Sequence, residues 1–554
     1  MTPAFASSSL YLPIASRISR LGITPASESL FALTMTINRM VDLLCLNPLP
    51  RICRTCEKDF DTRRRNLGYF KRTVEGLPFR DYYSRKGGTD VTDGKSFSTA
   101  PRGLAIFSVL GPGLIWCSDM IGSGEVILTT RNGAILGVSL IWVILASLFL
   151  KYWIGVSGAH YTVCTGEGMM DMFDRMPGPR HWLVWIILAM QLVAASIGSG
   201  ALASASGAFV SSILPVSPRV AGWIVCAAAF WLVWSGGFQL LKLVMGFFVA
   251  LIVLGVFYVA ATVLPSVSEL MQAFTFRIPE VPAWAIGKAG VHPNPWREIL
   301  PLLGWVAGGF GTQVWYTYWV IGQGYGMTAG RGFGKPADVG QLRSVDDSLA
   351  LRIKGWCRAV YVDGALAMGT TALVTISFLM AGAGILGANQ LAPEGPEVAF
   401  TLSRIFSTRW GSVGATLFLI SGAAALVSTL TVQLAGWPRL LADAFRICVP
   451  AFGRRFAWRT QFRIVLIFMF LTNVVVVYAL GYNPVRVVKM AAVFDGLLLT
   501  PVQAIAIAIG LFVVMPRLFG RSAYRILRPH WAFGVFLALS AVVFGFCVFK
   551  VLTY

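Results

Sequence analysis

Charge is scarce in this chain. Only 13% of its 554 residues are Asp, Glu, Lys or Arg, where soluble globular domains carry roughly a quarter, so a large soluble protein is excluded. Acidic residues are scarcer still, 25 against 46 Lys and Arg, for a formal net charge of +21. Such a balance invites a nucleic-acid reading. The basic residues, however, lie mainly in the N-terminal region and in alternate loops, which is the positive-inside pattern of a membrane protein. There are four histidines, His160, His181, His292 and His530. All fall at or near predicted span ends or in loops, and none pairs at metal-ligand spacing. The nine cysteines are scattered, with Cys53 and Cys56 forming one CxxC and no second pair nearby. A structural zinc site needs four ligands, and the remaining cysteines read mostly as packing in apolar runs. The glycine-rich stretch 322–326, continuing to Gly334-Lys335, follows no strand and lacks the GK[ST] ending of a phosphate loop, so it reads as a flexible connector. No nucleophile–base pattern appears, so an enzyme is not expected and no cofactor is implied.

Apolar sequence is abundant: 56% of residues are hydrophobic and the mean hydropathy is +0.69. From Gly103 onward, runs long enough to cross a bilayer recur with only short polar breaks. Eleven spans are expected, near 103–129, 133–156, 182–206, 219–235, 239–264, 299–321, 356–385, 409–436, 461–480, 486–515 and 531–552. The chain therefore reads as an all-α membrane protein, with a transmembrane domain at 101–554. Residues 1–100 differ in composition and are expected to form a poorly ordered cytoplasmic region. No signal-type apolar segment opens it, Arg51 to Arg72 is strongly basic, and Leu30 to Leu46 is weakly amphipathic. Loops rich in Arg and Lys (from Arg175 and Arg180, through Arg331 to Arg358 and Arg439 to Arg459, to Arg517–Arg528) alternate with poorer ones carrying Arg277, Lys288, Arg297, Arg404 and Arg409. That asymmetry places the N-terminus in the cytoplasm and the C-terminus outside.

Two spans carry unusual chemistry. The first contains Gly111-Pro112-Gly113 followed by Asp119, Gly122, Gly124 and Glu125; the sixth contains Gly304, Gly308, Gly309, Gly311, Thr312 and Gln313. Clustered glycine lets a helix unwind, and unwound backbone inside a membrane is tolerated only where it lines a cavity or is buried in protein. Two interrupted segments five helices apart are the sequence pattern of an inverted-repeat transporter. Close helix packing through small residues is the plainer alternative, but it does not account for Asp119 and Glu125 at that depth. Asp495, six residues before Pro501, is a further candidate, with pairing to Lys489 as its structural alternative. Asp363 reads as an interfacial group near the cytoplasmic start of the seventh span. Lys151 and Lys242 read as snorkelling near span ends.

The stretch Gly111 to Gly168 resembles the start of the Nramp family of divalent-metal transporters. The resemblance lies in Gly111-Pro112-Gly113, in Gly133 through Gly137-Val138-Ser139-Leu140-Ile141-Trp142-Val143, and in Thr165-Gly166. Gly236-Gly237-Phe238, and Ser428-Thr429-Leu430-Thr431 with Leu434-Ala435-Gly436, add to it. It implies the LeuT-type fold, five-plus-five inverted repeats with an extra helix and broken helices 1 and 6. The match also exposes departures. The family's Asp-Pro-Gly-Asn falls on Gly122-Ser123-Gly124-Glu125, its Met-Pro-His on Gly311-Thr312-Gln313, and two helix-three acids on Leu192 and Ala195. The thioether and imidazole that the family would supply are replaced.

The expected function is a secondary active transporter moving a divalent metal cation by alternating access at an altered site. Glu125 and Asp119 are the candidate metal ligands. Gly122, Gly124, Gly308, Gly311, Thr312, Gln313 and Asp495 are candidate substrate contacts. An all-oxygen set of this kind suits hard cations. Two alternatives are an amino-acid-like solute held by the Gly122–Gly124 N–H groups and Glu125, and a non-transporting membrane sensor. The expected partners are the lipid bilayer and a cation or small solute, with no nucleic acid.

Overall fold

The computed structural model describes residues 99–553 apart from 235–237, 263–264, 395–397 and 481–482. The basic segment before residue 99, with Cys45, Cys53, Cys56 and the stretch Leu30 to Leu46, lies outside the described residues, as does Gly236-Gly237. Backbone polar groups in lipid must be satisfied within the chain, and these apolar runs answer with helix throughout. Eleven spans follow in order among the described residues. α1 runs Pro112–Met120, then Gly124–Thr129 as a π-helical turn continued by Thr130–Leu136. α2 is Val138–Thr165, α3 Trp182–Ser211, α4 Pro218–Val233 and α5 Phe238–Thr262. α6 is split into Trp296–Trp305 and Phe310–Gln323. α7 is Asp347–Gly387, α8 Val398–Cys448, α9 Trp458–Leu480, α10 Pro484–Leu518 and α11 Trp531–Thr553. Counted in fives, each set opens on a broken helix.

Several boundaries differ from the hydropathy reading. α1 continues to Leu136, and Gly137 turns the chain at φ 75° before α2 begins. α2 runs nine residues past the expected end at 156 because Ser157, His160, Tyr161 and Thr162, although polar, are buried against protein rather than facing water. It stops where Gly166 adopts the left-handed conformation and returns its N–H to the Thr162 carbonyl. α7 starts at Asp347, with Asp346 as N-cap accepting from the Leu349 N–H. α8 extends to Cys448 and bends at Gly411, where φ is 57°.

α3 is the central strut. It packs against α8, α4, α9 and the first half of α10, while α2 packs against α7 and the second half of α6. The middle of α3 reads Ser196-Ile-Gly-Ser-Gly-Ala-Leu-Ala-Ser-Ala-Ser-Gly207, and its hydroxyls return to carbonyls one turn back, as in Ser204 to Gly200 at 2.8 Å. Small residues of this kind bring helices close in a membrane. The outer faces expose Trp231, Leu243, Leu254, Val542 and Leu552, an apolar girdle suited to lipid.

Candidate functional site

Both breaks are built by backbone that other helices hold in place. α1 stops at Met120, Ile121 leaves helical geometry at ψ 81°, and the Gly122 N–H donates to Glu125 Oε2 at 3.0 Å. Glu125 thus folds back over the break it follows. Its other oxygen is buried without a partner. From α8, the Thr429 hydroxyl stands 3.2 Å from the freed carbonyls of Ser118 and Ile121 and 3.3 Å from that of Asp119. The start of α1 is fixed as well: Asp363 of α7 accepts from the Gly113 N–H at 2.5 Å and the Gly111 N–H at 3.3 Å, and the Tyr316 hydroxyl donates to it at 3.2 Å. Asp363 is therefore no interfacial group. α7 begins 16 residues before it, and its carboxylate caps a buried half-helix.

The break in α6 spans Val306 to Gly309. Ala307 and Gly308 both have left-handed φ, 62° and 72°. For alanine that conformation costs about 1–3 kcal/mol unless the surroundings impose it. The imposing group is Lys151. Its Nζ lies 3.0 Å from the carbonyl of Leu303, 2.7 Å from those of Gly304 and Val306, and 2.6 Å from that of Gly308. An ammonium has three donors, so four carbonyls share them. Lys151 is 1% exposed and does not snorkel. The corrected α2 carries it to mid-helix, where it caps the negative end of the first half of α6. Gln313 Nε2 holds the Ala307 carbonyl at 2.9 Å, and its own carbonyl oxygen is unpartnered.

Asp495 sits where α10 is itself interrupted, between Pro484–Gly496 and Thr500–Ile509. Its Oδ1 accepts from Gln191 Nε2 of α3 at 3.0 Å and from the Gly311 N–H at 3.2 Å. It does not pair with Lys489. That lysine bonds Glu298 at 2.6 Å, and Glu298 also takes a two-pronged contact from Arg131 at 2.9 and 3.0 Å. Asp119 is 2% exposed, and its carboxylate meets no cation and no backbone N–H. Its polar neighbours are Thr312, Asp495 and Glu125.

Asp119, Glu125 and Asp495 thus share one buried region with Thr312, Gln313 and the backbone around Gly122, Gly124, Gly308 and Gly311. Three carboxyls against the one ammonium of Lys151 leave two negative charges when all are ionised. Trp116 stacks on Tyr316 beside this region, with ring centroids 4.1 Å apart. Sequence reasoning missed Lys151, Gln191, Arg131 and Glu298. Of the charged three, only Lys151 stood inside an expected span, where an ionisable residue was an available signal; Arg131 and Glu298 fell in the expected breaks between spans.

A bundle whose two five-helix sets each open on a broken helix, with carboxyls gathered at the breaks, is the LeuT-type transporter architecture. The chain belongs to the Nramp family: the model of Natural resistance-associated macrophage protein-like sequences matches residues 113–549. The Eremococcus coleocola manganese transporter, solved with an aromatic bis-isothiourea substituted compound, shares the fold at 14% identity. The TM-score is 0.57, with 82% of this chain and 90% of that one covered. The Divalent metal cation transporter MntH of Deinococcus radiodurans is 28% identical over 207 residues, 36% of this chain and 46% of the relative. An uncharacterised protein of Pasteurella multocida is 34% identical over 115 residues, 21% of this chain and 26% of the relative. The matches thus span between a quarter and half of these curated relatives.

Proposed function

We propose that the protein is a secondary transporter carrying a divalent metal cation by alternating access. Its site is formed by Asp119, Glu125 and Asp495 with the side-chain oxygens of Thr312 and Gln313. The observation that carries this reading is Asp119: a buried carboxylate whose polar neighbours are the Thr312 hydroxyl and two further carboxyls, with no cation among them. Burying such a group without a cation costs several kcal/mol, and a bound cation relieves that cost. The donor set is all oxygen, without the family's thioether or imidazole, and favours a hard ion such as Mn²⁺ or Mg²⁺. Relatives named for manganese and divalent metal cations support the class of cargo. The amino-acid alternative needs the Gly122 N–H for a substrate carboxylate, and Glu125 occupies that group.

Alternation between two openings is supported by ion networks at both ends of the bundle. One joins Arg131, Glu298 and Lys489 across α1, α6 and α10. The other joins Asp171, Arg446, Asp443 and Tyr318, with Arg446 2.7 Å from Asp171 and 3.1 Å from Asp443. By the charge asymmetry of the loops, the second lies on the cytoplasmic side. The test is uptake of Mn²⁺ and Mg²⁺ into proteoliposomes, with Asp119→Asn and Glu125→Gln as variants. Uptake that both variants abolish is expected. No divalent-cation uptake under any imposed gradient, or uptake indifferent to both changes, defeats the reading.

A further inference from the structure

Away from the breaks, the structure gathers a second group of metal-ligating side chains. His160 and Cys164 lie one turn apart in the last part of α2, and Cys357 approaches from α7. All three are buried, and one donor atom from each lies within 4.8 Å of the others. Among the described residues, this is the one His/Cys/Asp/Glu group that meets that spacing. The i, i+4 step puts His160 and Cys164 on one helix face, and α7 supplies the third donor from across the interface.

Two details separate this group from ordinary packing. The Cys164 and Cys357 sulfurs are 3.6 Å apart. Two thiolates at ~2.3 Å from a tetrahedral metal ion stand about 3.8 Å apart, so these sulfurs need move only slightly to chelate. His160 Nε2 lies 2.9 Å from the Leu527 carbonyl, in the segment leading to α11. A carbonyl can only accept, so Nε2 carries the proton and the lone pair sits on Nδ1. Holding the second ring nitrogen on a carbonyl is how proteins orient a ligating histidine. Nδ1 meets the Tyr361 hydroxyl at 2.5 Å, a contact that a metal would replace or that would place Tyr361 as a fourth donor.

We propose that His160, Cys164 and Cys357 form a binding site for a thiophilic transition-metal ion, Zn²⁺ or Cu⁺ in class, distinct from the transport site. Two thiolates and an imidazole select softer ions, whereas the site at the breaks offers only oxygen. An ion here pins the end of α2 to α7 and, through His160, to the Leu527 segment. The two sites sort their ions by ligand chemistry, so cargo does not compete for the pin.

The experiment is a Co²⁺ titration of the purified, reduced full chain, because a Co²⁺–thiolate centre absorbs in the near ultraviolet and, when tetrahedral, in the visible. One equivalent of bound Co²⁺ with both features is expected, displaced by Zn²⁺. The features should survive Cys53→Ser/Cys56→Ser and Glu125→Gln, vanish in Cys164→Ser/Cys357→Ser, and need at least tenfold more Co²⁺ in His160→Gln. Wild-type protein without thiolate absorption overturns the proposal whatever the variants do. So does absorption lost with Cys53 and Cys56, or recovery of Cys164 and Cys357 as a disulfide from reduced preparations.

Discussion

The Lys151 ammonium lies 2.6 Å from the Gly308 carbonyl oxygen, joining the middle of α2 to the unwound centre of α6. A tethered cation thus occupies the carbonyl cluster at a half-helix end, where a mobile cation would otherwise be attracted. The divalent ion proposed as cargo is left with the carboxyl side of the site.

Replacing Lys151 by Met strands three buried carbonyls, those of Gly304, Val306 and Gly308, while Leu303 keeps the Ser147 hydroxyl. Each unpaired group costs about 1–3 kcal/mol before relaxation, and a net loss of about 3 kcal/mol is expected. Thermal unfolding in detergent measures it. Lys151→Arg should recover less than half of the loss, because a planar fork cannot aim its donors into the same cluster.

Glu298 is shared by Arg131 and Lys489. Removing the one anion leaves two cations facing each other, so Glu298→Gln is expected to cost about 3–5 kcal/mol. Substituting all three by apolar residues of similar volume should cost less than that single change. Comparing the two unfolding midpoints decides the matter.

Gly496 and Gly369 should respond oppositely to alanine. A Cβ at Gly496 would press on the Gly304 backbone, 2.6 Å from its Cα, at the crossing of α10 and α6. Backbone cannot step aside, and a loss of about 1–3 kcal/mol is expected. At Gly369, on the exposed side of α7, a Cβ meets nothing within 4 Å, and alanine should gain up to about 1 kcal/mol in helix stability.

Asp363→Asn keeps the shape of the cap on α1 but removes its charge. A loss of about 1 kcal/mol is expected, concentrated at one place. Amide hydrogen exchange should accelerate at Gly111 and Gly113 while α3 is unaffected, and uniform acceleration would contradict the capping role.

The bundle itself was legible because hydropathy records lipid contact directly, and the two breaks because glycine clusters advertise unwinding. Asp119, Glu125 and Asp495 could be nominated for the same reason: carboxylates stand out in apolar sequence. Lys151 and Asp363 were misplaced by boundary errors. Burial against protein hides polar residues such as Ser157 and Thr162 from a lipid-based scale, so α2 looked too short. α7 starts in polar sequence that no such scale reads as helix, and Asp363 therefore seemed to lie at its end. The pairing of His160 with Cys357 had no sequence signal, since its partners are 197 residues apart and meet only across a helix interface.

Thr429 has one hydroxyl proton and three carbonyl oxygens within 3.3 Å of it. Whichever oxygen is served, the other two stand ready at nearly equal distance. A small displacement of this end of α1 therefore trades one of these hydrogen bonds for another while the proton stays on the Thr429 oxygen. Thr429 therefore holds the broken end of α1 with tolerance, whereas Asp363 fixes its start.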